Sequence, residues 1–171
     1  MISGEEDDYY GYFEFTKQYQ SDELLVEVSG NIMSMVAGDN FQEAEFVNNG
    51  RLASLFKRNT GIVSAENLII PANNTQSCFT FLFSGCSNMV KGPKITETDT
   101  PAQYAYNGMF YGCSSLTSIS IDSPYTSGCY NNWLYNASAS GTIYYTDDSW
   151  QNAPTGTSGI PSGWTVTTAS E

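Results

Sequence analysis

Thr80-Phe81-Leu82-Phe83-Ser84-Gly85-Cys86-Ser87-Asn88-Met89 and Gly108-Met109-Phe110-Tyr111-Gly112-Cys113-Ser114-Ser115-Leu116 are two copies of one pattern. Laid over each other they bring Phe83 onto Phe110, Cys86 onto Cys113 and Met89 onto Leu116, each 27 residues on. Upstream, Leu52-Ala53-Ser54-Leu55-Phe56 continues the series, with Phe56 27 residues before Phe83 and Ile62 27 before Met89. Downstream, Trp133-Leu134-Tyr135-Asn136 reads as a fourth copy, in which Leu134 follows Phe110 by 24 residues, the shortening expected of a terminal unit. Self-similarity at a fixed period of about 20–50 residues marks a solenoid, because one such unit cannot bury its own apolar face and must stack on a neighbour.

Each anchor is followed by a short apolar stretch of β type: Leu68-Ile69-Ile70, Lys94-Ile95 and Ile119-Ser120-Ile121. One repeat is therefore expected to be a short helix, a tight Gly or Asn turn and one short strand, an α/β solenoid over residues 51–136. Residues 1–50 are expected to hold an acidic tail and a β cap, with Tyr10-Gly11-Tyr12-Phe13-Glu14-Phe15 and Leu24-Leu25-Val26-Glu27-Val28 as strands around a polar turn at 18–22. The stretch 31–36 reads as a further degenerate unit. Residues 137–171 are expected to close the array, first with Gly141-Thr142-Ile143-Tyr144-Tyr145 and then with a Gly, Ser and Pro-rich loop pinned by aromatics.

The chain has 171 residues, 40% of them hydrophobic, enough for one domain with an ordinary core. Its net charge of −12 repels phosphate backbones and anionic membranes, so neither nucleic acid nor membrane insertion is expected. No apolar run approaches the roughly 18 residues of a membrane-spanning helix. Few charges amid many Ser, Thr, Asn, Gly and Tyr fit an extracellular or virion surface better than a cytosolic enzyme.

The 109–117 stretch, Met109-Phe110-Tyr111-Gly112-Cys113-Ser114-Ser115-Leu116-Thr117, resembles the BspA-like leucine-rich repeats of Bacteroides surface proteins, as does Leu82-Phe83-Ser84-Gly85-Cys86-Ser87-Asn88-Met89. The ending Gly159-Ile160-Pro161-Ser162-Gly163-Trp164-Thr165-Val166 is similar to the closure of that repeat group and of related structural proteins of Bacteroides (crAss-like) phages. The resemblance covers about residues 32–166. It implies a leucine-rich-repeat solenoid on a virion or cell surface, with adhesion or host binding as its role. The array departs from the family in its shortness and in its eroded inter-unit segments, Pro93-Lys94-Ile95-Thr96-Glu97 and Ile119-Ser120-Ile121-Asp122. The opening Met1-Ile2-Ser3-Gly4-Glu5-Glu6-Asp7-Asp8 has neither a basic leader nor an apolar core. Either a signal has been cut away or none is used, and the second option favours a virion protein: a capsid decoration, fibre or tail-associated subunit. The alternative is a bacterial cell-surface adhesin. In either setting the expected partners are other virion or surface proteins, or a host-surface glycan or protein, in an oligomeric assembly.

No catalytic or cofactor site is expected. The chain has no His, which removes Cys-His and Ser-His-Asp chemistry and most zinc sites. Carboxylate-pair hydrolysis stays formally open, but spacing singles out no pair. Glu5-Glu6-Asp7-Asp8 reads as a solvated acidic end or as a docking element for a basic patch. Asp147-Asp148 and Gly38-Asp39-Asn40 have calcium-type oxygen donors but read as turns, and no metal is expected. Cys86 and Cys113 share a repeat position, while Cys78 and Cys129 each stand five residues before an anchor and two units apart. All four are expected to be reduced, buried thiols. Phe56, Phe83, Phe110, Leu134, Cys86 and Cys113 are the expected structural anchors. Trp133 joins the core and Trp164 plugs the cap. Of the twelve Tyr, Tyr104, Tyr106, Tyr125, Tyr130, Tyr144 and Tyr145 are the expected surface and partner-binding residues.

If Phe83 and Phe110 anchor a stacked core, replacing either with Ala costs ~3–5 kcal/mol in urea unfolding. Near-neutral effects at both positions contradict the stacked repeat.

Overall fold

The structure, a computed structural model, describes residues 13–18, 25–40, 50–70, 75–96 and 100–169. The acidic 1–8 end, the start of the first expected strand and most of the 18–22 turn lie outside them. Among the described residues, eight strands form one sheet: β1 (Phe13–Gln18), β2 (Leu25–Asn31), β3 (Ile62–Ser64), β4 (Leu68–Ile70), β5 (Lys91–Ile95), β6 (Ser118–Ile121), β7 (Gly141–Tyr145) and β8 (Trp164–Thr168). β1 runs antiparallel to β2. Every later pairing is parallel, β2 to β3 and β4, these to β5, then β6, β7 and β8. The chain is thus a parallel β-solenoid of about four turns. The parallel sheet runs through the segments set apart as caps at 1–50 and 137–171, since β2, β7 and β8 are coils of the same stack.

Opposite the sheet, residues 50–59, 76–86, 103–113 and 127–137 form the second face. Here the expected helix is replaced by a ribbon of overlapping turns. In the first ribbon Ala53, Leu55, Lys57 and Asn59 each donate their backbone N–H to the carbonyl three residues back. The alternate donors, Gly50, Leu52, Ser54, Phe56 and Arg58, reach across to Gln76, Cys78, Thr80, Leu82 and Ser84 in the next coil. The second ribbon repeats this, with Ser77, Phe79, Phe81, Phe83 and Gly85 donating to Gln103, Ala105, Asn107, Met109 and Tyr111. An α-helix directs every interior N–H to its own i−4 carbonyl and has none left for a neighbour. The ribbon divides its donors between the two tasks and satisfies the backbone that a stacked coil buries.

That division requires a left-handed residue every fourth position, as at the third place of a type II turn. Positive φ falls on Ser54 and Arg58, on Ser77, Phe81 and Gly85, on Tyr104, Gly108 and Gly112, and on Asn132 and Asn136. These align coil over coil, Ser54 with Phe81, Gly108 and Asn132, and Arg58 with Gly85, Gly112 and Asn136. At Gly108 a Cβ would fall 2.2 Å from the Phe81 ring, so the glycine supplies both the dihedral and the space.

The core fills the gap between sheet and ribbon. From the ribbon come two columns of rings. Phe56 lies on Phe83 with centroids 5.1 Å apart, Phe83 on Phe110 at 5.9 Å, and Phe110 meets Trp133 at 6.0 Å. Beside them Phe79 lies on Tyr106 at 5.9 Å and Tyr106 on Tyr130 at 5.1 Å. Leu134 is the register equivalent of Phe110, because Phe110 N–H bonds the carbonyl of Trp133 as Phe83 N–H bonds that of Met109. From the sheet Ile70, Ile95, Ile121 and Tyr145 form a buried row. Three indoles close the C-terminal end, the N–H of Trp133, Trp150 and Trp164 donating to the carbonyls of Gly159, Ser123 and Ser138 at 2.8–2.9 Å.

Gly108→Ala is expected to destabilise by more than the ~1–2 kcal/mol of a left-handed Cβ alone, because it also displaces Phe81. The exposed Ser54→Gly is expected to stabilise by up to about 1 kcal/mol. Urea midpoints with unchanged m-values measure both.

Candidate functional site

The outer face of the sheet carries two rows of side chains. Register aligns Ser64, Lys91, Ser118, Thr142 and Thr165 in one, and Ile69, Lys94, Ser120, Tyr144 and Thr167 in the other. Between the rows the coils differ in length. β6, β7 and β8 pass from one row to the other in two residues each. β5 takes three, with Gly92 and Pro93 between Lys91 and Lys94 and a shift in register. The coil before it takes five, breaking into β3 and β4 around 65–67. Extra residues in a strand form a bulge that re-aims its neighbours, and Gly or Pro inside a strand marks such a place.

The mismatch opens a solvent-facing groove of about 260 Å³. Glu66 and Lys91 border it on the bulged side and Tyr144 on the regular side, while Gly92, Ser118 and Ser120 line the floor between them. Lys91 and Glu66 form an ion pair, and this hydrogen bond holds the Lys91 ammonium pKa above its ordinary value. Nearby Lys94 pairs with Asp122 at 3.3 Å, and Asp122 also accepts from Thr146. Both lysines of this face are thus matched by a carboxylate although the chain is strongly acidic. Ser118 and Ser120 are half-buried and Tyr144 is 39% exposed. None of these three hydroxyls has a hydrogen-bond partner among the described residues, whereas Thr142 and Thr165 on the same face approach each other at 3.3 Å.

The six tyrosines expected at the surface divide. Tyr144 is exposed at the groove rim. Tyr145 points the other way into the core, as strand alternation demands. Tyr106 and Tyr130 are a correction, being fully buried rings of the second column. Tyr125 is half-buried, stacked on Tyr130 and donating to the Ser158 carbonyl. Tyr104 is half-buried on the ribbon. Tyr111 and Tyr135, exposed and stacked at 5.0 Å on the ribbon face, were not singled out, although each follows a repeat anchor by one residue. Glu66, Lys91, Ser118 and Ser120 were also missed. The signal that pointed to them was the Gly92-Pro93 pair inside a β stretch.

Phe56, Phe83, Phe110, Leu134, Cys86 and Cys113 are all buried. The four thiols are free. Cys86 donates to the Phe56 carbonyl and Cys113 to the Phe83 carbonyl, both at 3.1 Å, one rung apart, and Cys129 donates to Pro101. Burial pushes Cys86 up to about 11 and raises Cys113, Cys78 and Cys129 as well. These are packing thiols rather than nucleophiles. Asp147 caps a 3-10 turn by accepting from Ser149 N–H, and Asp148 accepts from Gln151, so both carboxylates are engaged in turn structure. Gly38-Asp39-Asn40 is likewise a 3-10 turn.

Compared with known protein families, with curated proteins and with solved structures, the chain matches none.

Because folding holds the thiols neutral, their contribution to stability is full below their ordinary value of 9.0 and is lost as pH rises toward about 11 for Cys86. Urea midpoints are expected to fall across that window, and a Cys86→Ala/Cys113→Ala variant to show a shallower fall from a lower starting point.

Proposed function

We propose that the chain is a non-enzymatic attachment module, a structural subunit of a phage virion that holds other virion proteins or touches the host surface. The observation that carries this reading is the outer sheet face. A rigid, hydrogen-bonded sheet presents a charge-balanced groove with unpartnered hydroxyls and an exposed tyrosine, a surface already formed before any partner arrives. Preorganisation of this kind lowers the entropic cost of binding. The finer reading, that the coils are degenerate leucine-rich repeats of BspA-like type, is supported by the 27-residue spacing of Phe-x-Gly-Cys-Ser in residues 83–87 and 110–114. The resemblance of the 159–166 closure to structural proteins of Bacteroides phages favours the virion. The shared repeat motif favours the second reading, a bacterial cell-surface adhesin.

Quantitative mass spectrometry of purified phage particles and of outer-membrane fractions from the source organism separates the two. Stoichiometric recovery in virions is the expected result, and recovery only in membranes assigns the chain to the bacterial surface. Absence from both contradicts the attachment role.

A further inference from the structure

We infer that the groove between Lys91 and Tyr144 binds a neutral pyranose unit of a surface glycan. This names the ligand class for the attachment reading and rests on it. The groove asks for a ligand with two properties at once. Ser118, Ser120 and the Tyr144 hydroxyl lack hydrogen-bond partners among the described residues, and an apolar ligand covering the two half-buried serines would leave them unsatisfied. The exposed Tyr144 ring at the rim offers an apolar face, which a purely polar solute does not use. A pyranose ring presents hydroxyls around its edge and a C–H face to an aromatic ring, so it meets both demands.

Charge narrows the class further. An anionic sugar would need an uncommitted cation, yet Lys91 is paired with Glu66 and Lys94 with Asp122. The surrounding chain, at −12, adds repulsion. The ion pairs instead present both donor and acceptor atoms, the pattern that suits a neutral hydroxyl. At about 260 Å³ the groove lies below the ~300–1,000 Å³ of sites that enclose a whole drug-sized ligand, and it is open to solvent. It therefore takes a short segment of a longer polymer. The Gly92-Pro93 bulge makes the depression, and a side chain at Gly92 would crowd Ile119 at 3.1 Å and the Ser118 carbonyl at 3.2 Å.

The test is binding of the full chain to an array of neutral and acidic oligosaccharides built on gluco, manno, galacto and N-acetylhexosamine backbones, followed by titration calorimetry on the best neutral hit. Binding to a neutral oligosaccharide is expected. It should weaken about tenfold in Tyr144→Ala, consistent with loss of one aromatic platform, and also in Ser118→Ala/Ser120→Ala. Tyr111→Ala, on the opposite face, should leave it unchanged. Urea midpoints of all variants should stay near the parent, because the replaced groups are exposed or unpartnered. No neutral binding, a preference for acidic sugars, or undiminished binding in Tyr144→Ala overturns the inference. Failure here with the chain still recovered from virions or membranes removes only the glycan assignment. Glycan binding by a chain found in neither fraction removes the attachment role and leaves the groove's ligand in place.

Discussion

The structure depends on a division of backbone hydrogen bonds. Every second N–H of a ribbon closes a turn within its own coil, and the others bond the coil above. A coil without its neighbour would leave a row of buried donors unpaired, each at a cost of about 1–3 kcal/mol. Stacking is therefore built into the backbone and not left to side chains alone. The same requirement governs the two ends. β1 turns back antiparallel to cover the outer edge of β2. At the far end the three indole N–H groups are tied to carbonyls of neighbouring segments, so these large rings fill the last layer of the core without leaving a polar atom unsatisfied.

Strict stacking also explains where the surface acquires a feature. The ribbons and the inner rows must stay in register, because Phe56, Phe83 and Phe110 lie on one another and the thiols of Cys86 and Cys113 each bond one coil back. Differences in coil length are pushed to the outer sheet face, between the Lys91 and Lys94 rows. The residues at 65–67 and the Gly92-Pro93 bulge absorb the surplus, while β6, β7 and β8 remain regular. The groove is the step between the irregular and the regular coils. Its walls belong to a sheet whose every strand is held by its neighbours, which is why its shape does not depend on a mobile loop.

Ring placement follows from the same two faces. Tyr144 and Tyr145 are adjacent in sequence, yet one is exposed and the other buried, because a strand alternates its side chains. On the ribbon the pattern is different. Buried residues come in pairs every four positions: Cys78-Phe79, Leu82-Phe83 and Cys86, then Ala105-Tyr106, Met109-Phe110 and Cys113. Tyr106 and Tyr130 fall on the paired positions and enter the core, whereas Tyr111 and Tyr135 fall between and stack in the open.

The repeat was legible because the residues that contact each other across coils are the same type at a fixed spacing. Phe83 and Phe110, Cys86 and Cys113 announce a stack before any coordinates exist, and the apolar stretches at 68–70, 94–95 and 119–121 fall within β4, β5 and β6. The choice between helix and ribbon was not legible from apolar spacing, since pairs recurring every four residues satisfy both. Gly85, Gly108, Gly112 and Asn136 hinted at left-handed positions, but Phe81 and Tyr104 occupy them too, against their own preference. Sequence alone thus determined that the chain stacks, how often it repeats and which residues anchor it. Only the tertiary structure decided which N–H groups face a neighbour, which tyrosines are covered and where unequal coils open a groove, because each is a relation between coils and not a property of one.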